Sequence, residues 1–199
     1  MMLTAAQTSL FALAWAALTF ALWRRRRWLA FYVTGALGFV LLVLFASQLF
    51  GWDSRLEAIQ AREVAAIAQA LGIDLSVLSG TGLAVKNHVG WAVFDVGVEC
   101  SALLEMAAFA GLIGFYPGFT LLRRGITIVV GLVLTYALNI ARILLIVAII
   151  NAGGTSWVFT AHAVFGRVLF FAGVVGIFWY LVTRPTMRIV SGQLEAMPE

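Results

Sequence analysis

One cysteine, one arginine and one histidine stand out from an otherwise apolar chain. Cys100 lies where a polar segment meets an apolar run, Arg142 falls inside a second hydrophobic run, and His162 opens a third. Sulfur is a nucleophile, guanidinium a permanent cation and imidazole a base near neutral pH. Set at one depth, the three outline a reaction site. An arginine inside a membrane costs at least about 2.5 kcal/mol on insertion scales and normally faces a bundle interior or a wet cavity. Arg142 therefore needs a partner or a job. Asn139, three residues earlier on the same helical face, is placed to hold the guanidinium or a substrate backbone. Glu105, five residues beyond Cys100, is the candidate counter-ion. A thiol beside a cation and an imidazole ionises more readily. Taken singly, each residue also has a plainer reading: Cys100 as a small apolar filler, His162 as an interfacial side chain, Arg142 as an ion pair with Glu105, and Arg167 as a cation reaching for the surface.

The chain that must position these groups is 63% hydrophobic and only 11% charged over 199 residues, with a mean hydropathy of +1.02. Soluble domains carry roughly 25% charge. The expectation is an all-α integral membrane protein, a single polytopic domain over residues 1–199. At roughly 20 apolar residues per crossing, the length allows about five transmembrane helices and one modest loop. A net charge of +4 does not signal nucleic acid here, because the arginines cluster beside hydrophobic runs, where they set orientation. A single cysteine excludes an internal disulfide, and two histidines with no paired carboxylate motif argue against zinc. No metal or cofactor is expected. The G-x-S-x-G elbow of serine hydrolases and the H-E-x-x-H zinc motif are both missing, which sets those hydrolases aside.

The expected spans are residues 3–23, 28–50, 101–116, 125–150 and 162–183, with an outer loop over 51–99. Positive charge follows the first run, at Arg24 to Arg27, so this run reads as a retained helix with its basic end in the cytoplasm. Arg123, Arg124, Arg184 and Arg188 fall on the same side, which places the N-terminus outside and the C-terminus inside. Arg142 lies about 17 residues, or about 26 Å, above the inner start of its span, and so shares the outer level with Cys100 and His162. Within the loop, Leu56, Ile59, Glu63, Ile67 and Leu71 keep a helical period and Gly72 stops it, predicting an extracytoplasmic amphipathic helix over 54–71. The stretch from Leu78 to Leu83 reads as a turn between short extended pieces, and 91–98 is rich in strand formers, so a small hairpin leads into Cys100. Gly111 with Gly114, and Gly173 with Gly176, suit close helix contact.

Three local sequences carry a resemblance: Val98-Glu99-Cys100-Ser101-Ala102-Leu103, then Asn139-Ile140-Ala141-Arg142-Ile143, then His162-Ala163-Val164-Phe165-Gly166. In this order, on successive spans, they resemble the exosortase/archaeosortase family of membrane-embedded transpeptidase-like enzymes, over about residues 90–170. The departure is Ala102, where the family pattern has glycine. The resemblance implies a cysteine transpeptidase or protease with Cys100, Arg142 and His162 as catalytic set. Asn139, Glu105, Glu99, Arg167 and Gly166 would bind substrate or support that set, and Arg167 competes with His162 as third group. The implied partner is an exported protein whose C-terminal sorting signal combines a short motif, a transmembrane helix and a basic tail. The implied acceptor is a membrane lipid, a glycan or water, and the site is expected to face away from the cytoplasm in the cell membrane. Two other readings stand beside it: a small transporter component with Arg142 and Glu105 on a polar path, and a noncatalytic scaffold of a surface-polymer assembly.

Overall fold

The computed structural model describes residues 5–78, 81–97 and 100–187. Helix α1 (Ala5–Arg24) turns through the arginine run into α2 (Trp28–Phe50). Gly51, with φ +64°, closes α2 by donating its N–H to the Ser47 carbonyl and in the same residue redirects the chain into α3 (Trp52–Ala70). A side chain at that left-handed position would be strained, so glycine makes the corner. Three strands follow, β1 (Leu75–Val77), β2 (Gly82–Asn87) and β3 (Gly90–Asp95), in one antiparallel sheet of order β1-β2-β3. Asn87 sets the β2–β3 turn by accepting the backbone N–H groups of Val89 and Gly90 on its Oδ1. The chain then enters α4 (Leu103–Gly114), α5 (Leu121–Gly153) and a last helical run, α6 (Thr155–Met187).

Four of these helices, α1, α2, α5 and α6, are long and apolar enough to cross a membrane. The remaining expected span is a shorter apolar helix, Leu103–Gly114, which runs between the two ends of the bundle. The stretch expected over 101–116 yields an α4 of 12 residues, about 18 Å long, against a hydrocarbon core of about 30 Å. Its start is delayed by a tight turn at Ser101 and Ala102, and Pro117-Gly118 follows its end. The two flanking helices exceed expectation: α5 and α6 have 33 residues each. The expected hairpin is also enlarged, because β1 joins it to make three strands.

The short α4 is held by close approach. A Cβ on Gly111 would fall 3.0 Å from the Ala36 carbonyl oxygen of α2, which accounts for glycine at that seam. Gly173 likewise abuts the Leu138 side chain, whereas Gly114 and Gly176 face open space, so only one glycine of each expected pair serves packing. A small core of Phe109, Ile113, Phe119 and Val182 joins α4, α5 and α6. The arginine turn between α1 and α2 and the turn between α4 and α5 share one end of the bundle, where Trp23, Trp28, Pro117 and Arg124 line a common hollow.

At the opposite end α3 and the sheet pack on α5. Their core contains Ala61, Val64, Ala65, Ala68, Leu83, Val85, Ala92, Val96, Ile143, Ile146, Val147 and Cys100. On α3, Glu57, Gln60, Ala61, Val64, Ala65 and Ala68 turn inward, while Ile59, Ile67 and Leu71, which set the expected period, face outward. Small side chains let α3 lie close against α5 and the sheet, and the larger ones are left on the outer side. Tyr136 of α5 fastens the pair by donating its hydroxyl to Glu63 Oε2 at 2.6 Å.

Candidate functional site

Cys100 and His162 are 62 positions apart in sequence and meet at the junction of three elements. β3 ends at Asp95, Val96 is tied back to the Thr81 carbonyl, and the Cys100 N–H donates to the Gly97 carbonyl, which holds the cysteine at the mouth of α4. His162 sits in a π-helical stretch, Ala161–Gly166, within α6. Such wide turns break the regular ladder of a long helix and recur at functional sites. Gly166 lets this stretch lie against α5, since a Cβ there would come 2.9 Å from the Ile146 side chain. Gly166 is thus a packing support for the histidine.

The Cys100 Sγ is 3.8 Å from both the Nδ1 and the Nε2 of His162. Equal distances mean that neither nitrogen is aimed at the sulfur along its own lone pair, so a modest ring rotation is needed for proton transfer. Long catalytic hydrogen bonds are ordinary before a substrate is bound. Cys100 is 3% exposed, and the ring stands between it and a cleft of ≈ 540 Å³ lined by Phe94, Asp95, Ile146, Thr155, Ser156, Val158, Phe159, His162, Ala163 and Arg167.

Behind the thiol lies a buried polar clamp. Asn139 Nδ2 donates to the Cys100 carbonyl oxygen and to Gln60 Oε1, the latter at 3.3 Å. Gln60 Nε2 in turn donates to the Ser101 carbonyl at 3.1 Å. Asn139, Gln60 and Ser101 are all fully buried, so these bonds hold the cysteine backbone in a place where a lost partner is costly. The Asn139 amide thus grips the protein's own chain, a contact that the expectation of a guanidinium or substrate partner did not include. Gln60 was not singled out from sequence at all. Its signal was faint, a polar residue on the Ala/Val face of α3. One turn earlier, burial pushes the Glu57 carboxyl above its usual range, with Asp53 adding to the effect.

Ala102 completes the turn with φ +55° and ψ +13°, a left-handed conformation in a residue with no exposed surface. This is the position where the family pattern has glycine. A Cβ costs roughly 1–2 kcal/mol there, enough to offset the chain entropy and the buried methyl that glycine would forfeit. Ala102→Gly is expected to leave stability unchanged within about 0.5 kcal/mol. The same exchange at Ala107, buried in mid-helix, should cost roughly 1.5 kcal/mol, or a melting temperature lower by about 3–6 °C. Thermal unfolding of the two variants in one detergent reads the contrast, and equal losses would contradict it.

Arg142 is 3% exposed and lies one turn beyond Asn139 on the same face of α5. Its guanidinium carbon stands 5.2 Å from the centre of the Phe170 ring, a favourable cation–π arrangement when desolvated. It does not line the cleft. Arg167 does line it. Glu105 is half-buried in a separate apolar groove between α4 and α6 with Phe109, Leu112, Val174 and Phe178, and forms no ion pair with Arg142. Glu99 lies outside the described residues. Among the described residues no group of three or more His, Cys, Asp or Glu could hold a metal ion. Comparison of the chain with protein-family models, with curated proteins and with solved structures gives no significant match.

Proposed function

We propose that this chain is a membrane-embedded cysteine transpeptidase or protease of the exosortase/archaeosortase type, acting on exported proteins that carry a C-terminal transmembrane sorting signal. The observation that carries the reading is the Cys100–His162 pair, with sulfur 3.8 Å from both imidazole nitrogens, set behind a cleft. In a chain with one cysteine and two histidines, a nucleophile and a base from elements far apart in sequence share a contact at the end of the bundle opposite the arginine turns. That end is read as facing away from the cytoplasm, because clustered arginines favour the cytoplasmic side.

The reaction runs in two transfers. The Cys100 thiol gives its proton to His162, and the sulfur attacks the scissile carbonyl carbon. The oxygen gains negative charge in a partly dehydrated site, where the fixed charge of Arg142 stabilises it. The carbon–nitrogen bond then breaks, the proton moves from His162 to the departing amine, and the transmembrane tail leaves. The substrate remains as a thioester on Cys100. An amine or hydroxyl of a lipid or glycan, or water, gives a proton to His162 and attacks the thioester, and the thiol is regenerated.

The thioester is the test. Co-expression with a tailed substrate and rapid acid quenching should yield a covalent adduct on Cys100 that neutral hydroxylamine releases. An adduct at another residue, or none while substrate is being cleaved, would overturn the mechanism.

A further inference from the structure

The sheet beside the thiol has one covered edge and one open edge. β1 lies against α3, and Gln69 Nε2 donates to the Leu75 carbonyl. β3 has no strand on its outer side among the described residues. Its phase follows from its pairing. Leu83 pairs with Phe94 and Val85 with Ala92, and the Val96 N–H reaches the Thr81 carbonyl. Residues 92, 94 and 96 therefore aim their backbone groups at β2, and Trp91, Val93 and Asp95 aim theirs at the open edge, because the direction alternates along an antiparallel strand.

Folded proteins usually blunt such edges with lysine, proline, a bulge or a covering segment. This one offers Trp91 and Val93, exposed at 54% and 56%, in a strand without proline or lysine. The edge runs into the site: Phe94 and Asp95 line the same cleft as His162, and five residues later the chain reaches Cys100. A polypeptide paired along β3 would be about five residues long in contact and would carry its next peptide bond to the thiol. Main-chain pairing of this kind selects an extended backbone first and side chains second.

We propose that the polypeptide ahead of the scissile bond binds as a fourth strand on β3, held by the backbone N–H and C=O groups of Trp91, Val93 and Asp95. The proposal rests on the peptide-cleaving reading above and supplies its substrate-docking element. Thr155, Ser156 and Phe159 line the same cleft.

The experiment uses the full chain in detergent and an unreactive probe, a fluorescein-labelled Thr/Val pentapeptide amide, with a twin N-methylated at alternate residues. Hydrogen exchange at the Trp91, Val93 and Asp95 amides should slow at least about fivefold with the peptide and stay unchanged with the twin. Val93→Pro removes a donor that points away from β2 and leaves every β2–β3 bond intact, as edge positions permit. It should weaken peptide binding about fivefold to tenfold in fluorescence anisotropy, whereas Cys100→Ala should bind as well as the parent. Equal binding of the methylated twin, or no protection at saturating peptide, overturns the proposal. So does protection of these amides that grows with protein concentration and needs no peptide, which would place a second copy of the chain on the edge. Docking without any thioester on Cys100 would instead remove the reaction and leave the edge site standing, so the two failures are distinguishable.

Discussion

Cys100→Ala is expected to reduce processing of a co-expressed tailed substrate to background, while the protein still inserts and melts within about 2 °C of the parent. The side chain is small and its sulfur sits among apolar neighbours, so alanine removes one heavy atom from the core and little stability. Chemistry, in contrast, loses its only thiol. His162→Ala should fall short of that loss, at about 10²- to 10⁴-fold, the usual worth of a positioned acid–base group. It should also leave the residual rate dependent on pH through the thiol alone. The order matters as much as the size. A scaffold or transporter would tolerate both changes, and a variant that keeps processing without Cys100 would end the enzymatic reading. Quantifying cleaved and uncleaved substrate by immunoblot, beside the melting curve of each variant, separates lost chemistry from lost folding.

Some of this site was legible from residue types alone. A lone thiol at a polar–apolar boundary, an arginine in an apolar run and a histidine opening the next run mark themselves by the cost of keeping them there. Hydropathy likewise marked the long helices, since α1, α2, α5 and α6 each carry about 20 or more apolar-rich residues. What escaped was what depends on contact. The period of the large apolar side chains marked α3 as a helix but did not name the flat face of Ala61, Val64, Ala65 and Ala68 that packs inward. That packing brought Gln60 under Asn139, and no periodicity argument names a partner 79 positions away. The 101–116 stretch is apolar enough to read as a span, but the left-handed turn at Ala102 shortens it from the front. The π-helical stretch around His162, where Gly166 lies close to Ile146, left no trace in the hydrophobic pattern. Glu105 was assigned to Arg142 by depth, and helix rotation took it to a different groove.

On the proposed mechanism two cations compete for the role of stabilising the developing oxyanion, and their surroundings decide between them. Arg167 stands on the cleft wall, exposed to solvent, where water and salt weaken its field over a Debye length of about 8 Å. Arg142 is buried, one turn from the asparagine that holds the Cys100 carbonyl. At an effective dielectric near 20 a charge at 4 Å is worth about 4 kcal/mol, against about 1 kcal/mol in water. Arg142→Gln is therefore expected to lower the cleavage rate about 10²- to 10³-fold, in the range of other lost oxyanion partners. Arg167→Gln should cost less than about tenfold, and its effect should vanish as salt is raised. Arg142→Lys keeps the charge and loses the planar face over Phe170, so it should recover part of the rate while lowering the melting temperature. Single-turnover rates on the folded fraction of each variant, at low and high salt, make the comparison. A larger loss at Arg167 than at Arg142 would move the oxyanion charge to the cleft wall and leave Arg142 as a structural cation holding α5 against α6.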